Sequence, residues 1–413
     1  MAVVITGMGC VTPIGTGRPA FSAALRRGES GTRRLSRFDP GGYECQVAAE
    51  VVDFRAEDFM PLREVRSLPR VAQLAVAGAR LAMEDARLRA WPDPTRVGVL
   101  LGTSGGSGSY QFEQGLIFVE RGVRRMHPSF PAYAHNGVIA SECAIQLDAH
   151  GPVFTVSSAC TSSTDAIGLA CALLEAGTVD FILAGGSDAP LAPLLFASFD
   201  RLGAMARRFN DRPEQASRPF AADRDGFVLG EGAGVFVLEK RERARERSAP
   251  ILAEIAGYGA TCDAAHHFTQ EESGVDATRA VVEALRQGNL SPDDVDYVNA
   301  HGTATAQNDP FETAIFHRVF GERAPRLPVS STKSMVGHLL GACGAVELAA
   351  TIVGMHEGFL PPTLNLDEPD PACDLDYVAH RARPAQIDVA LSTSFGFGSR
   401  NAALVVRKPD DAG

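Results

Sequence analysis

The stretch "TVSSACTSSTDAIG" (155–168) sets one thiol, Cys160, among small hydroxyl residues, after an apolar run and before a helix-like one. That pattern predicts a strand-to-helix turn. A thiol there meets the positive end of the helix dipole and unpaired N–H groups, which favour thiolate and can hold a developing oxyanion. Free cysteine is also among the most buried residue types, so on its own the thiol reads first as inert core. "VDYVNAHGTATAQND" (295–309) runs an apolar strand into His301, placing an imidazole at a strand end before small residues. A cleft-facing and a structural histidine read alike at that point. "VSSTKSMVGHLLGACGAVE" (329–347) carries Lys333 and His338. An ammonium in so apolar a setting is costly unless paired, and Glu347 is the candidate partner. In "SFGFGSRN" (394–401) the Gly-Phe-Gly permits a sharp turn and close backbone approach. Phe397 would be held there as the lid or wall of a cleft, or as a core aromatic.

Three other patterns carry less. "GTSGG" (102–106) matches a G-x-S-x-G elbow, with Ser104 as its serine, but the pattern is short in a glycine-rich chain. "GMGCVTPIG" follows the first strand yet has Thr12 where a dinucleotide fingerprint needs Gly or Ala. "GEGAG" (230–234) lies between strands, not before a helix. Neither supports a nucleotide site.

The elements that must position these residues alternate. "AVVITGMG", "RVGVLLGTS", "PVFTVSSA" and "VDFILAGGSDA" predict buried strands; 70–88 and 277–289 predict helices. Alternation of this kind means an α/β fold with largely buried sheets. "RDGFVLGEGAGVFVLEKRE" (224–242) and "VALSTSFGFGSRNAALVVRKP" (389–409) each read as strand, glycine turn, strand, a hairpin closing each half. The charged "RERARERSAP" (241–250) is the junction, dividing the chain into 1–249 and 250–413, with a new strand from Ile251.

Composition narrows the function class. The chain has 413 residues, 45% hydrophobic and 22% charged, enough for a large core. A net charge of −11 argues against nucleic-acid binding. The eight cysteines form no CxxC pair, which argues against a zinc site and a disulfide framework. No apolar run is long enough to span a bilayer and the N-terminus lacks a basic n-region. A cytoplasmic protein with no membrane association is expected.

Together, Cys160, His301, Lys333, His338 and Phe397 resemble the constellation of the β-ketoacyl-acyl-carrier-protein synthases, the elongating Cys-His-His kind of the thiolase superfamily. "ITGMGCVTPIG", "ASRPFAADRDGFVLGEGAGVFVLE" (216–239), "NAHGTAT" and "STKSMVGHLLGACGAVE" extend the resemblance over nearly the whole chain. It implies a thiolase-like five-layer αβαβα sandwich of two pseudo-repeated halves, and a dimer, either with itself or with a ketosynthase-β (chain-length) subunit. It implies Cys160 as acyl-accepting nucleophile, and His301 and His338 as the pair that stabilises the enolate left after CO₂ loss. Lys333 would hold His338, with Asp309 and Glu347 as supporting acids. The backbone N–H groups of Cys160 and Phe397 would form the oxyanion hole, with Phe397 as gate. No cofactor and no metal are expected.

The implied partner, acyl carrier protein, is acidic, so a −11 enzyme needs local positive charge. Arg63, Arg66 and Arg70 fall at i, i+3 and i+7, one stripe if helical, though Pro69 interrupts; Arg207 and Arg208 form a second patch. Ser399 and Arg400 stand where many members of the family have another glycine. "HGTATAQND" is more similar to ketosynthase-α subunits of type II polyketide systems than to the housekeeping fatty-acid enzyme. Two alternatives stay open: a thiolase-like coenzyme A acyltransferase, and a non-catalytic chain-length subunit. Chain-length control is expected in an irregular segment, 107–136.

Overall fold

The computed structural model describes residues 2–409. Ten strands carry the architecture. The first half holds β1 (Val3–Thr12), β2 (Val97–Gly102), β3 (Val153–Val156), β4 (Phe181–Asp188) and β5 (Gly232–Lys240). The second holds β6 (Ala253–Cys262), β7 (Tyr297–Asn299), β8 (Val329–Ser330), β9 (Val389–Gly396) and β10 (Arg400–Arg407). Eight helices matter here: α1 (Arg70–Asp85), α2 (Gly108–Arg121), α3 (Val138–Leu147), α4 (Ser162–Glu175), α5 (Pro193–Leu202), α6 (Val275–Gln287), α7 (Asn308–Phe320) and α8 (Cys343–Glu357).

The strands run β8-β7-β9-β10-β6-β1-β5-β4-β2-β3. Each half therefore has one order: third, second, fourth, fifth, first. The pairings match too. The second strand is parallel to the third and fourth, and the fifth is antiparallel to the fourth and first. Between the halves, β1 and β6 pair at three positions only, Val3↔Ile255 to Ile5↔Ala253.

The cores show the layering. Ala166, Ile167 and Leu174 of α4 and Leu348 and Ile352 of α8 share one cluster with Ile5, Ile182, Ala390 and Leu404, from strands of both halves. The helices α1 and α3 pack on the outer face of the first half-sheet, α6 and α7 on that of the second. This is the thiolase-like five-layer αβαβα arrangement. Being covered all round explains why α8 is buried from Cys343 through Met355 and lacks a polar face. The central helices cross closely: a Cβ on Gly344 would lie 1.9 Å from Thr164 Oγ1. Among the described residues no helix is long and apolar enough to cross a membrane.

Some expected details differ. Only the second half ends in a hairpin, β9–β10. In the first half β5 pairs with β4, forty-three residues upstream, and residues 224–231 make isolated bridges instead of a strand. Leu229 bridges to His338, so that segment is spent on holding the other half. The strand expected from Ile251 begins at Ala253. The segment 107–136 is not irregular: most of it is α2 and a short helix at Phe130–Tyr133.

Candidate active site

The turn that carries Cys160 is built by its hydroxyl neighbours. After β3, Ala159 takes a left-handed φ of 56°, unusual for a residue with a side chain, and a single 3₁₀ turn (Ala159–Thr161) leads into α4. The Ser162 hydroxyl accepts the Ser158 N–H at 2.9 Å and donates to the Ala159 carbonyl at 2.6 Å. Asp165 accepts from Ser158 Oγ, from Thr161 Oγ1 at 2.7 Å and, across the halves, from Tyr258 Oη at 2.7 Å. Glycine is required at 102, where a Cβ would meet the Ser162 carbonyl carbon at 2.3 Å. The result is a thiol only 8% exposed. Burial pushes it up to about 11, against the pull of the Lys333 charge and the Phe397 backbone N–H.

Both imidazoles come from the second half. His301 follows β7, and its N–H donates to Glu312 Oε1 at 2.7 Å while Gly302 N–H donates to Oε2 at 2.8 Å. Lys333 Nζ donates to His301 Nδ1 at 3.1 Å and to the His301 carbonyl at 2.7 Å, and it pairs with the Glu347 carboxylate. His338 Nδ1 accepts the Leu340 N–H at 3.0 Å. With both Nδ1 atoms acting as acceptors, each neutral ring carries its proton on Nε2. Burial, reinforced by the Lys333 charge, holds both rings well below the usual imidazole range, so they are neutral donors at pH 7. The rings stand 5.5 Å apart and perpendicular, and one nitrogen of each lies with Cys160 Sγ in a group no wider than 4.8 Å.

A cavity of about 400 Å³ opens over this group, lined also by Phe199, Phe268, Phe397 and Leu340. Phe397 meets Phe268 edge to face at 5.4 Å. Gly396 lets its turn close on the thiol: a Cβ there would sit 3.1 Å from Cys160 N. Ser399 accepts the Ala265 and His266 N–H groups and donates to the His266 carbonyl, strapping the turn to the loop that bears Phe268. The spacing of Cys160, His301 and His338 would suit a metal ion, but the ammonium 3.1 Å from His301 Nδ1 opposes a cation. Ser104 lines the cavity without joining the group.

Three expectations are corrected and one residue is added. Lys333 holds His301, not His338, because the turn after β8 brings its Nζ under the His301 carbonyl. Asp309 does not touch Lys333 or either imidazole. It accepts from the Phe220 and Ala304 N–H groups and lies 3.6 Å from Arg224, one step behind the site. The acid that grips the His301 backbone is Glu312, which sequence reasoning missed; its signal was an acid one helical turn after Asp309 on an otherwise buried face. Burial pushes it up to about 7.

The third correction concerns the arginines. The stripe does not exist, because the helix holding Arg63 (Leu62–Val65) ends before Arg66 and α1 starts afresh after Pro69. Arg63 and Arg66 stay exposed, Arg63 beside Glu64. Arg70 is committed to the fully buried Glu231, with contacts at 2.7 Å to both carboxylate oxygens. Arg70→Ala is expected to cost about 3–5 kcal/mol of stability through the stranded carboxylate, read as a fall in Tm, with carrier-protein affinity unchanged. Arg207 pairs with Glu44 and reaches the Asp200 carbonyl; Arg208 lies 3.5 Å from Asp225 and is 59% exposed.

The family profile described as "Beta-ketoacyl synthase, N-terminal domain" matches residues 1–244, and "Beta-ketoacyl synthase, C-terminal domain" matches 252–367. This chain belongs to the β-ketoacyl synthase family. It is 40% identical over 98% of each chain to "3-oxoacyl-[acyl-carrier-protein] synthase 2" of Synechocystis sp.. It is 41% identical over 99% of each chain to "Granaticin polyketide putative beta-ketoacyl synthase 1" of Streptomyces violaceoruber. The fold matches "The ishigamide ketosynthase/chain length factor" with a TM-score of 0.90, at 34% identity and 99% coverage of each chain.

Proposed function

We propose that this β-ketoacyl synthase loads an acyl group onto Cys160 and joins it to a malonyl unit carried by acyl carrier protein, with loss of CO₂. The observation that carries this reading is the convergence of one thiol and one nitrogen from each of two neutral imidazoles within 4.8 Å. In the first step Cys160 sulfur attacks the acyl thioester, the C–S bond to the carrier breaks, and the thiol proton ends on the departing carrier sulfur. The Cys160 and Phe397 N–H groups hold the transient oxyanion, and the new thioester keeps its activation. In the second step the malonyl C–CO₂ bond breaks and its electron pair moves onto the thioester oxygen. The His301 and His338 Nε2–H groups face that oxygen and stabilise the enolate. Its carbon then attacks the acyl carbon on Cys160; a C–C bond forms, the C–S bond breaks, and the departing thiolate takes a proton from solvent to restore the thiol.

Both donors are neutral above their depressed pKa values, so the donor form is complete at pH 6.5 and persists as pH rises. The neutral imidazoles are expected to leave malonyl decarboxylation flat from pH 8 to 9, and the decline toward acid follows the buried carboxyls that hold the site, Glu312 first, raised to about 7. An activity step above pH 8 would contradict it. For carrier docking, exposed Arg63, Arg66 and Arg208 remain, and Arg70 drops out. Relatives named for polyketide synthesis, with the "HGTATAQND" likeness, support a type II polyketide role; the Synechocystis relative keeps fatty-acid elongation as the second reading. The half-exposed edge strand β3, with Phe154 exposed, supports a dimer through that edge, with itself or a chain-length subunit. We place the protein in the cytoplasm.

The test is intact-mass analysis after incubation with acyl carrier protein thioesters, with the adduct mapped by digestion. An acyl group on Cys160 is expected. Turnover of acetoacetyl-CoA without a malonyl donor would favour the coenzyme A acyltransferase alternative. No adduct, with or without a candidate chain-length partner, would favour a non-catalytic subunit.

A further inference from the structure

Among the described residues, one buried carboxylate stands between the halves with no cation to pair it. Asp188, the last residue of β4, is fully buried. It accepts five hydrogen bonds: Thr103 Oγ1 at 2.8 Å and the backbone N–H groups of Ser104 (2.8 Å), Gly105 (2.9 Å), Gly106 (3.1 Å) and Gly341 (2.7 Å). Four donors come from the loop after β2 in the first half. The fifth comes from the turn after His338 in the second.

That turn is strained. Leu340, a bulky residue, has φ +48°. Its N–H is the backbone donor to His338 Nδ1, at 3.0 Å, with the Cys343 thiol farther off at 3.4 Å. The next N–H, that of Gly341, is the one Asp188 holds. Consecutive amides thus point in turn at the imidazole and at the carboxylate. The fit is close: a Cβ on Gly341 would lie 2.5 Å from Ser104 N and 2.8 Å from Asp188 Oδ2.

We propose that Asp188 is a positioning residue for His338: its carboxylate, anchored in the first half, clamps the Gly341 amide and keeps Leu340 in the left-handed conformation that locks the His338 tautomer. Burial raises the carboxyl to about 6 against these hydrogen bonds, which leaves it ionised at neutral pH. Without the clamp, Leu340 relaxes, its N–H leaves Nδ1, and the proton no longer stays on the nitrogen that faces the malonyl oxygen.

The inference rests on the ketosynthase reading, and two half-reactions separate the two. Cys160 acylation needs the thiol and the Phe397 amide; malonyl decarboxylation needs His338. In full-length Asp188→Asn, decarboxylation is expected to fall roughly 100-fold, the scale of losing one aimed donor, with Cys160 acylation within about threefold. Glycine adopts positive φ without strain. Adding Leu340→Gly to Asp188→Asn is therefore expected to restore at least about tenfold of the lost decarboxylation. Asp188→Glu, which keeps the charge and displaces it, should show the same split at smaller size, and it serves if the asparagine variant does not fold. Equal loss of both half-reactions, or no recovery with Leu340→Gly, overturns the proposal. A wild-type chain that decarboxylates no malonyl thioester would instead overturn the ketosynthase reading.

Discussion

Cys160→Ala is expected to take up no acyl group from any carrier-protein thioester, and chain elongation should drop by roughly 10⁴-fold or more, as when a nucleophile is removed. No other thiol can stand in. Cys343 does not line the cavity: its Sγ lies 3.4 Å from His338 Nδ1, and burial pushes it far up. Stability should scarcely change, because only one sulfur atom is lost, from a side chain that already borders a cavity. Malonyl decarboxylation should survive, since its donors are the two imidazoles. Intact-mass spectra and CO₂ release measure the two arms. An elongating alanine variant would contradict the assignment of the nucleophile.

Lys333→Met is expected to damage both stability and chemistry, for separable reasons. Its ammonium and the Glu347 carboxylate are both almost wholly buried, so removing one strands the other, at about 3–5 kcal/mol. The Lys333 charge is also the second cause, after burial, of the low His301 pKa. Losing it lets that ring charge more readily and frees Nδ1 to take the proton, so decarboxylation should fall roughly 100-fold. Glu347 holds Lys333 charged against the cost of its burial. The double variant Lys333→Met/Glu347→Leu separates the two effects. Most of the lost Tm should return, because a buried pair replaced by apolar groups is often neutral. Decarboxylation should not return, since His301 Nδ1 still lacks its donor. Recovery of both together would make Lys333 purely structural.

Several features were legible from short range. A thiol among hydroxyls at a strand-to-helix turn, an imidazole at a strand end and a Gly-Phe-Gly turn are local patterns, because backbone geometry within a few residues determines them. Ser158, Thr161, Ser162 and Asp165 organise the Cys160 turn within eight residues of sequence. The alternation of apolar runs and amphipathic helices foretold the layered α/β fold for the same reason, since each element carries its burial pattern in its own sequence.

What local pattern could not carry is the choice of partner. Lys333 meets His301 across 32 positions, Arg70 meets Glu231 across 161, and Asp188 meets Gly341 across 153. The stripe of arginines failed because Arg70 found a buried carboxylate that no helical spacing announces. The first-half hairpin failed because residues 224–231 hold the His338 turn instead of a neighbouring strand. By itself the sequence determined which groups gather at the site and the loops that bear them. The tertiary structure alone decided which charges hold them, because buried charges take whatever partners the strand order brings together, and the burial that makes each pairing obligatory exists only after the two halves close.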